Sequence, residues 1–355
     1  MSDSFPLASA LAQLPFLTAD LPGIGGQIKQ EPADFVVEER PLFPASQTGQ
    51  FLYLWVEKTG LSAEQLTSHL ARELQLPHQE ISQAGLKDRH AITRQWVCVP
   101  DRCLPRAEAF QHSQIRILRI DRHYHKLRAG QLLGNHFQIR IRNVAADSLA
   151  LAEPIAARLR QQGMLNYFGD QRFGRDAETL ALGMKLLRGQ AKPGDIPYAR
   201  RKFLLRLALS AAQSMLFNEM LRRRVQAGTS SRVQAGDLLQ KTGSGGLFVA
   251  EDPAVEQPRW DAGEVSISGP MFGPKMLAPR GLIAEQEAAV LSEFELQPSD
   301  FERYPQLTSG TRRLYTVRQS ELKLRPVGAD LELDFELPAG SYATVLLREF
   351  TKTEL

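Results

Sequence analysis

Apolar and polar positions change period several times along the chain, and each change marks an element. Phe51 to Val56 (FLYLWV) is a short unbroken apolar run, which suits a strand buried on both faces. Ser62 and Gln65 form a capping box, and Leu66, Leu70 and Leu74 then recur every four residues. That spacing predicts an amphipathic helix of about three turns. Trp96 to Val99 predicts another strand, ended by Pro100. Phe137, Ile139 and Ile141 alternate with Gln138, Arg140 and Arg142, so this strand has one apolar face and one polar, basic face.

The middle of the chain reads differently. Helices are predicted over Pro154–Gln162 with Gly163 as the stop, over Asp176–Arg188 closed by Gly189, and over most of Asp195–Ala227 ahead of Gly228. A polar, Gly-rich stretch (Thr242–Gly246), short strands and a helix around Ala284–Phe294 follow. After about Gly310 the strand period returns. Leu331, Leu333, Phe335 and Leu337 alternate with Glu332, Asp334 and Glu336, and Tyr342–Phe350 predicts a closing helix capped by Ser341. The final segment is too short to be a domain. It is expected to complete the N-terminal sheet, with the middle block inserted, and the fold class is α+β.

Length and composition narrow the class. A chain of 355 residues makes one large domain or two ordinary ones at roughly 100–200 residues each. Its 43% hydrophobic and 23% charged residues are ordinary globular usage, which excludes a disordered tail, a collagen or a disulfide scaffold. No stretch reads as a membrane span, and the first cation is Lys29, so a secretory signal is not expected. Two cysteines, Cys98 and Cys103, lack a second pair for zinc. The expected setting is the cytoplasm.

The net charge of +3 is too small to announce a nucleic-acid partner, but its distribution is uneven. Arg116, Arg119, Arg122, Lys126, Arg128, Arg140 and Arg142 face a single acid, Asp121, between Gln111 and Arg142. A second run holds Arg200, Arg201, Lys202, Arg206, Arg222, Arg223 and Arg224, with Glu219 as its acid. Such runs suit a phosphate backbone, or equally a solvated face balanced by acids elsewhere.

Several catalytic signatures are absent, among them the phosphate-loop and nucleophile-elbow patterns. Gly23-Ile24-Gly25-Gly26 follows Pro22 rather than a strand, so it reads as a turn. His123 and His125 lack the spacing and the cysteine partners of a metal site, so no metal site is expected from them. The loop Gln83–Gln95 is more unusual. It carries one carboxylate, Asp88, between Lys87 and Arg89, and nearby cations favour the ionised form. A positioned carboxylate suits covalent catalysis at a sugar or base, and a turn Asp satisfying backbone amides is the plainer alternative.

From there the sequence resembles a family, the TruD-type tRNA pseudouridine synthases, which modify uridine 13 of tRNA. The resemblance rests on seven blocks in order: Ile28-Lys-Gln-Glu-Pro-Ala-Asp-Phe35, Gly85-Leu-Lys-Asp-Arg-His-Ala-Ile-Thr-Arg-Gln95, Gly134-Asn-His-Phe137, Asn166-Tyr-Phe-Gly-Asp-Gln-Arg-Phe-Gly174, Leu209-Ser-Ala-Ala-Gln-Ser214 with Phe217-Asn218, Ser268-Gly-Pro-Met-Phe-Gly273, and Leu337-Pro-Ala-Gly-Ser-Tyr-Ala-Thr344. Ala33 and Asp170 depart from the usual acid and Glu.

The resemblance implies a pseudouridine synthase catalytic domain with a mixed or antiparallel sheet, formed by residues 1–159 and completed by 310–355. It implies an inserted α/β family-specific domain over 160–309. It makes Asp88 the nucleophile of a cofactor-free isomerisation on tRNA, and other structured RNA is a possible substrate. It singles out Phe35, Phe137 and Phe335 as aromatics for the flipped base, with Phe335 expected to be partly accessible. Asn135 offers a donor and an acceptor for a base edge or ribose hydroxyl. Lys29 and Lys87 could pair with Asp88 or hold phosphate, with a solvated lysine as the plainer alternative at either position. The competing readings are a non-catalytic RNA-binding chaperone and a glycoside hydrolase, the second needing a further carboxylate such as Glu38 or Glu39.

Overall fold

Strict alternation decides which way the first sheet faces. The computed structural model describes residues 14–174, 177–318 and 321–353. In β1 (Phe35–Pro41), Phe35, Val37 and Glu39 are buried and the residues between them are half-exposed. In β2 (Phe51–Thr59), Leu52, Leu54, Val56 and Lys58 point the same way, and all four are buried. The strand runs three residues past the apolar stretch that announces it, and it carries Lys58 into the interior with it.

The predicted capping box forms. Ser62 Oγ accepts from Gln65 N at 3.1 Å and the Gln65 side chain accepts from Ser62 N at 2.9 Å, opening helix α1 (Ala63–Leu74). Leu66, Leu70 and Leu74 of α1 pack on Leu52, Leu54 and Val56, on Val97 and Val99 of the neighbouring strand, and on Ile115. Each such side chain contributes roughly 1.5–3 kcal/mol on burial. This layer, more than helix propensity, fixes α1 to the sheet.

The remaining strands are β3 (Ser82–Gln83), β4 (Ile92–Pro100), β5 (Ile115–His123), β6 (Leu132–Ile141), β7 (Lys323–Val327) and β8 (Asp330–Pro338). Their order is β7-β8-β6-β1-β4-β2-β5, with β3 against β4. Only β1 and β4 run parallel, so the sheet is mixed. β8 lies along β6 from Leu331 opposite Ile141 to Pro338 opposite Gly134. Gly134 permits that close approach, since a Cβ there would stand 2.2 Å from the Leu337 carbonyl oxygen.

The chain divides into two compact units. One holds this sheet and comprises the described residues of 21–160, 319–343 and 350–355. The other comprises the described residues of 1–20, 161–318 and 344–349. Its four-stranded antiparallel sheet runs Thr311–Leu314, Val265–Met271, Leu238–Lys241, Leu247–Val249 in space. Its long helix α2 (Arg201–Gln226) is buried from Ala208 to Leu221 except at Ser210. The helix Glu178–Leu187 packs so closely on α2 that a Cβ at Gly183 would fall 2.0 Å from the Ala208 carbonyl oxygen.

Three expectations are corrected. Residues 310–318, and likewise the described residues 14–20 and 344–349, group with the middle block and not with the sheet of the first unit. Thr311–Leu314 pairs with Val265–Met271, Thr316–Val317 pairs with Met164–Leu165, and the buried Arg312 binds Glu287 at 2.5 Å. The helix expected from Pro154 begins at Ser148, so Pro154 sits inside it rather than at its start. The helix expected over Asp176–Arg188 is observed as Glu178–Leu187, and Asp176 lies outside the described residues. Among the described residues no helix is long and apolar enough to cross a membrane.

Candidate active site

The loop between β3 and β4 is fixed at three points by its backbone. Gly130 N donates to the Ala84 carbonyl at 2.8 Å, and Gly60 N donates to the Ala91 carbonyl at 3.2 Å. Between them, Lys58 Nζ donates to the Asp88 carbonyl at 2.7 Å and to the Leu61 carbonyl at 2.7 Å. A lysine inside a core needs acceptors for its charge, and here two carbonyls supply them. Burial pushes the Lys58 ammonium down to about 8, against the pull of Asp88 and with the push of Lys87.

With its backbone held, Asp88 turns its carboxylate outward, its side chain 38% exposed. Lys29 Nζ stands 3.6 Å from Asp88 Oδ2 and 4.3 Å from the centroid of the Phe35 ring. Lys29 is one of the few non-glycine residues with a left-handed backbone, at φ 58°. That conformation costs roughly 1–2 kcal/mol, a strain typical of functional positions. An ion pair this exposed contributes about 0.2–1 kcal/mol, so a ligand can displace Lys29 from the carboxylate at small cost.

Lys87 does not pair with Asp88. Its ammonium binds Glu39 Oε2 at 2.8 Å, with the two side chains 5% and 1% exposed. Glu39 reaches this position by the alternation of β1, and its other oxygen accepts from Trp96 N at 3.4 Å. The carboxylate that a two-acid glycosidase would require is therefore neutralised by a buried lysine, while Glu38 pairs with Arg94 at 3.3 Å.

Across the sheet from Glu39, in register, is Asn135 of β6. Its Oδ1 is buried with no hydrogen-bond partner among the described residues. Thr93 Oγ1 and Gln95 Oε1, on β4 at the other side of β1, are in the same condition. Buried polar atoms of this kind are uncommon and are open to a donor from water or from a ligand.

The three family-matched aromatics meet. Phe137 and Phe335 are opposite one another on β6 and β8, their rings stacked at 5.3 Å and 18°. Phe35 meets Phe137 edge-on at 6.3 Å and 77°. The expectation that Phe335 is partly accessible does not hold. Phe335 and Phe35 are each 1% exposed, and Phe137 is 6% exposed. Phe335 is covered on its own face of the sheet, with the Phe137 ring stacked against it, although β7 ends at Lys323, opposite Asp334, and does not flank it.

Besides Lys87, the buried charges nearest the Asp88 loop are Lys58 and Glu39; Lys58 was not singled out, and Glu39 only as a carboxylate a glycosidase would need. Alternation alone contained the signal, since Lys58 continues the series Leu52, Leu54, Val56 and Glu39 continues Phe35, Val37. His123 stacks on Tyr53 at 4.7 Å, and among the described residues no group of three His, Cys, Asp or Glu could hold a metal ion. Much of the first basic run is engaged within the fold. Arg116 pairs with Glu57, Arg119 with Asp121 and Arg122 with Asp101. Arg142 holds the buried Asp34 through Nε at 2.9 Å and a second nitrogen at 2.8 Å. Burial raises the Asp34 carboxyl, but the bonds from Arg142 and the Glu31 amide outweigh it and hold it below the usual range. Arg142 is thus an anchor for the segment that carries Lys29.

The family model described as tRNA pseudouridine synthase D (TruD) matches residues 13–194 and 198–350. A protein named tRNA pseudouridine synthase D from Anaeromyxobacter sp. (strain Fw109-5) is 41% identical over 342 residues, covering 96% of this chain and 97% of that protein. One of the same name from Thermus thermophilus is 39% identical over 341 residues, covering 96% of this chain and 92% of that protein. The crystal structure described as that of a tRNA pseudouridine synthase D from Methanosarcina mazei shares the fold, with a TM-score of 0.78 and 24% identity over 99% of both chains. By its sequence along nearly its whole length, the chain belongs to the tRNA pseudouridine synthase D family.

Proposed function

We propose that this protein isomerises uridine 13 of tRNA to pseudouridine, with Asp88 as its nucleophile. The observation that carries the reading is the way Asp88 is held. Its backbone is clamped by the buried Lys58, and its half-exposed carboxylate is left facing a weakly bound Lys29. Among the described residues, the second oxygen of that carboxylate has no ion-pair partner, which suits nucleophilic catalysis.

The target uridine must leave the RNA stack before its glycosidic bond is reached. Phe137, the least buried of the three rings, faces the base, while Phe35 and Phe335 brace it from the edge and from behind. Base–aromatic stacking contributes about 1–3 kcal/mol, which offsets much of the cost of flipping. Asn135 Oδ1 receives a donor from the base edge or ribose. Lys29 moves from the carboxylate toward phosphate as RNA binds.

In the reaction the N1–C1′ bond breaks and a C5–C1′ bond forms. The carboxylate either adds to C1′ or assists elimination to a glycal, and both routes need it ionised. N1 gains a proton and C5 loses one, so the atoms balance without oxidant, reductant or energy donor. The expected setting is the cytoplasm.

The test is incubation with unmodified tRNA, followed by carbodiimide treatment and primer extension to map pseudouridine. A stop one nucleotide 3′ of position 13 is expected with the parent protein, and none with Asp88→Asn, whose amide has the same shape but is a poor nucleophile. RNA binding that survives in both, with no product from either, would replace the enzyme with a binding protein.

A further inference from the structure

The second basic run splits into two halves with different fates. At the C-terminal end of α2 every cation is engaged. Arg222 and Arg223 each hold Glu219 at 2.7 Å, Arg223 also binds Glu293, and the buried Arg224 binds Asp237 at 2.6 Å. At the N-terminal end, Arg200, Lys202 and Arg206 are exposed and make no ion pair among the described residues. Arg201 is used locally, donating to the Ile196 carbonyl at 3.2 Å.

Two large aromatics stand among these free cations. Tyr198 is 88% exposed and Phe203 is 65% exposed. Burial of α2 begins only at Ala208, so neither ring serves the core of its unit. From Lys192 to Arg206 there are five cations and one acid, Asp195, whose carboxylate accepts from the Lys192 amide at 2.9 Å. Phe203 and Arg206 lie three apart on the helix, and Lys202 and Arg206 lie four apart, so these side chains are neighbours.

We infer that Tyr198, Arg200, Lys202, Phe203 and Arg206 form an RNA-docking surface, with cations on backbone phosphates and the exposed rings stacking on unpaired bases. The inference rests on the proposed RNA substrate and assigns part of its recognition to a surface away from Asp88 in sequence. Here the surroundings are one-sidedly positive, which complements phosphate.

The experiment measures binding of an unmodified tRNA transcript by fluorescence anisotropy over a range of salt concentrations. It compares the parent protein with Arg200→Ala/Lys202→Ala/Arg206→Ala and with Tyr198→Ala/Phe203→Ala. Losing three phosphate contacts should reduce the slope of log K against log salt by about 2, at roughly 0.7 per contact for single strands. The aromatic pair should weaken binding about tenfold or more with the slope unchanged, as loss of base stacking does. Affinity and slope equal to the parent in both variants would overturn the inference. So would sedimentation showing that the parent self-associates through this face and that Tyr198→Ala/Phe203→Ala does not. Parent protein that binds tRNA but makes no pseudouridine would refute the proposed reaction alone and leave this surface to be judged on binding.

Discussion

Lys58 Nζ lies 2.7 Å from the backbone carbonyl oxygen of Asp88, joining a fully buried cation in β2 to the loop that presents the proposed nucleophile. The bond spans 30 residues and fixes the loop at the residue whose position matters. Lys58→Met keeps the length of the side chain and removes the donor. The single-turnover rate should fall roughly 10- to 100-fold, the effect of about 1 Å of misplacement, with tRNA affinity near the parent value. Lys58→Arg should recover part of the rate. An affinity loss that matches the rate loss would mean Lys58 supports binding instead of aligning Asp88.

The same lysine gives the protein a specific pH signature. Its ammonium titrates at about 8 when folded, against 10.5 ordinarily. Between those values the unfolded chain binds the extra proton, so stability rises with pH. Below about pH 8 the cost of a buried charge is present in full, and it is relieved progressively toward pH 10.5. Urea midpoints of the parent and Lys58→Met, measured at several pH values across this window, should show an upward contribution in the parent that the variant lacks. Parallel curves would show that Lys58 titrates alike in the folded and unfolded chain, so that its burial costs the charge nothing.

Lys87 is paired with Glu39 at 2.8 Å, both side chains almost wholly buried. Lys87→Met alone would strand the Glu39 carboxylate and should cost about 3–5 kcal/mol of stability. Adding Glu39→Gln removes the stranded charge and should restore much of the loss. A double-mutant cycle by urea unfolding tests this, and additive costs would deny the coupling.

Phe335 is 1% exposed and stacked on Phe137, so Phe335→Ala should behave as a core truncation, costing about 3–5 kcal/mol. The folded fraction should also turn over more slowly, because Phe137 loses the ring behind it. Urea midpoint and single-turnover rate on the same variant decide this. A midpoint near the parent value would show that the strand relaxes around the cavity, and normal turnover would remove Phe335 from the site.

The sequence by itself determined the elements whose spacing is local. The capping box of Ser62 and Gln65, the leucine stripe of α1, the two-faced β6 and the alternating β8 all stand where their periods place them, because period and capping depend on neighbours within a few residues. The family blocks likewise singled out Asp88, Lys29, Phe137 and Asn135, which the fold brings to one region of one sheet. Only the tertiary structure decided the pairing of charges. Lys29 and Lys87 look alike along the chain, yet one reaches Asp88 and the other Glu39, since the choice depends on how β1 and the β3–β4 loop meet. Tertiary contacts also placed Thr311–Val317 with the middle block, buried Phe335 against Phe137 and engaged most of the first basic run. Ion pairs, strand partners and exposure all join residues far apart in sequence, and no local pattern carries that information.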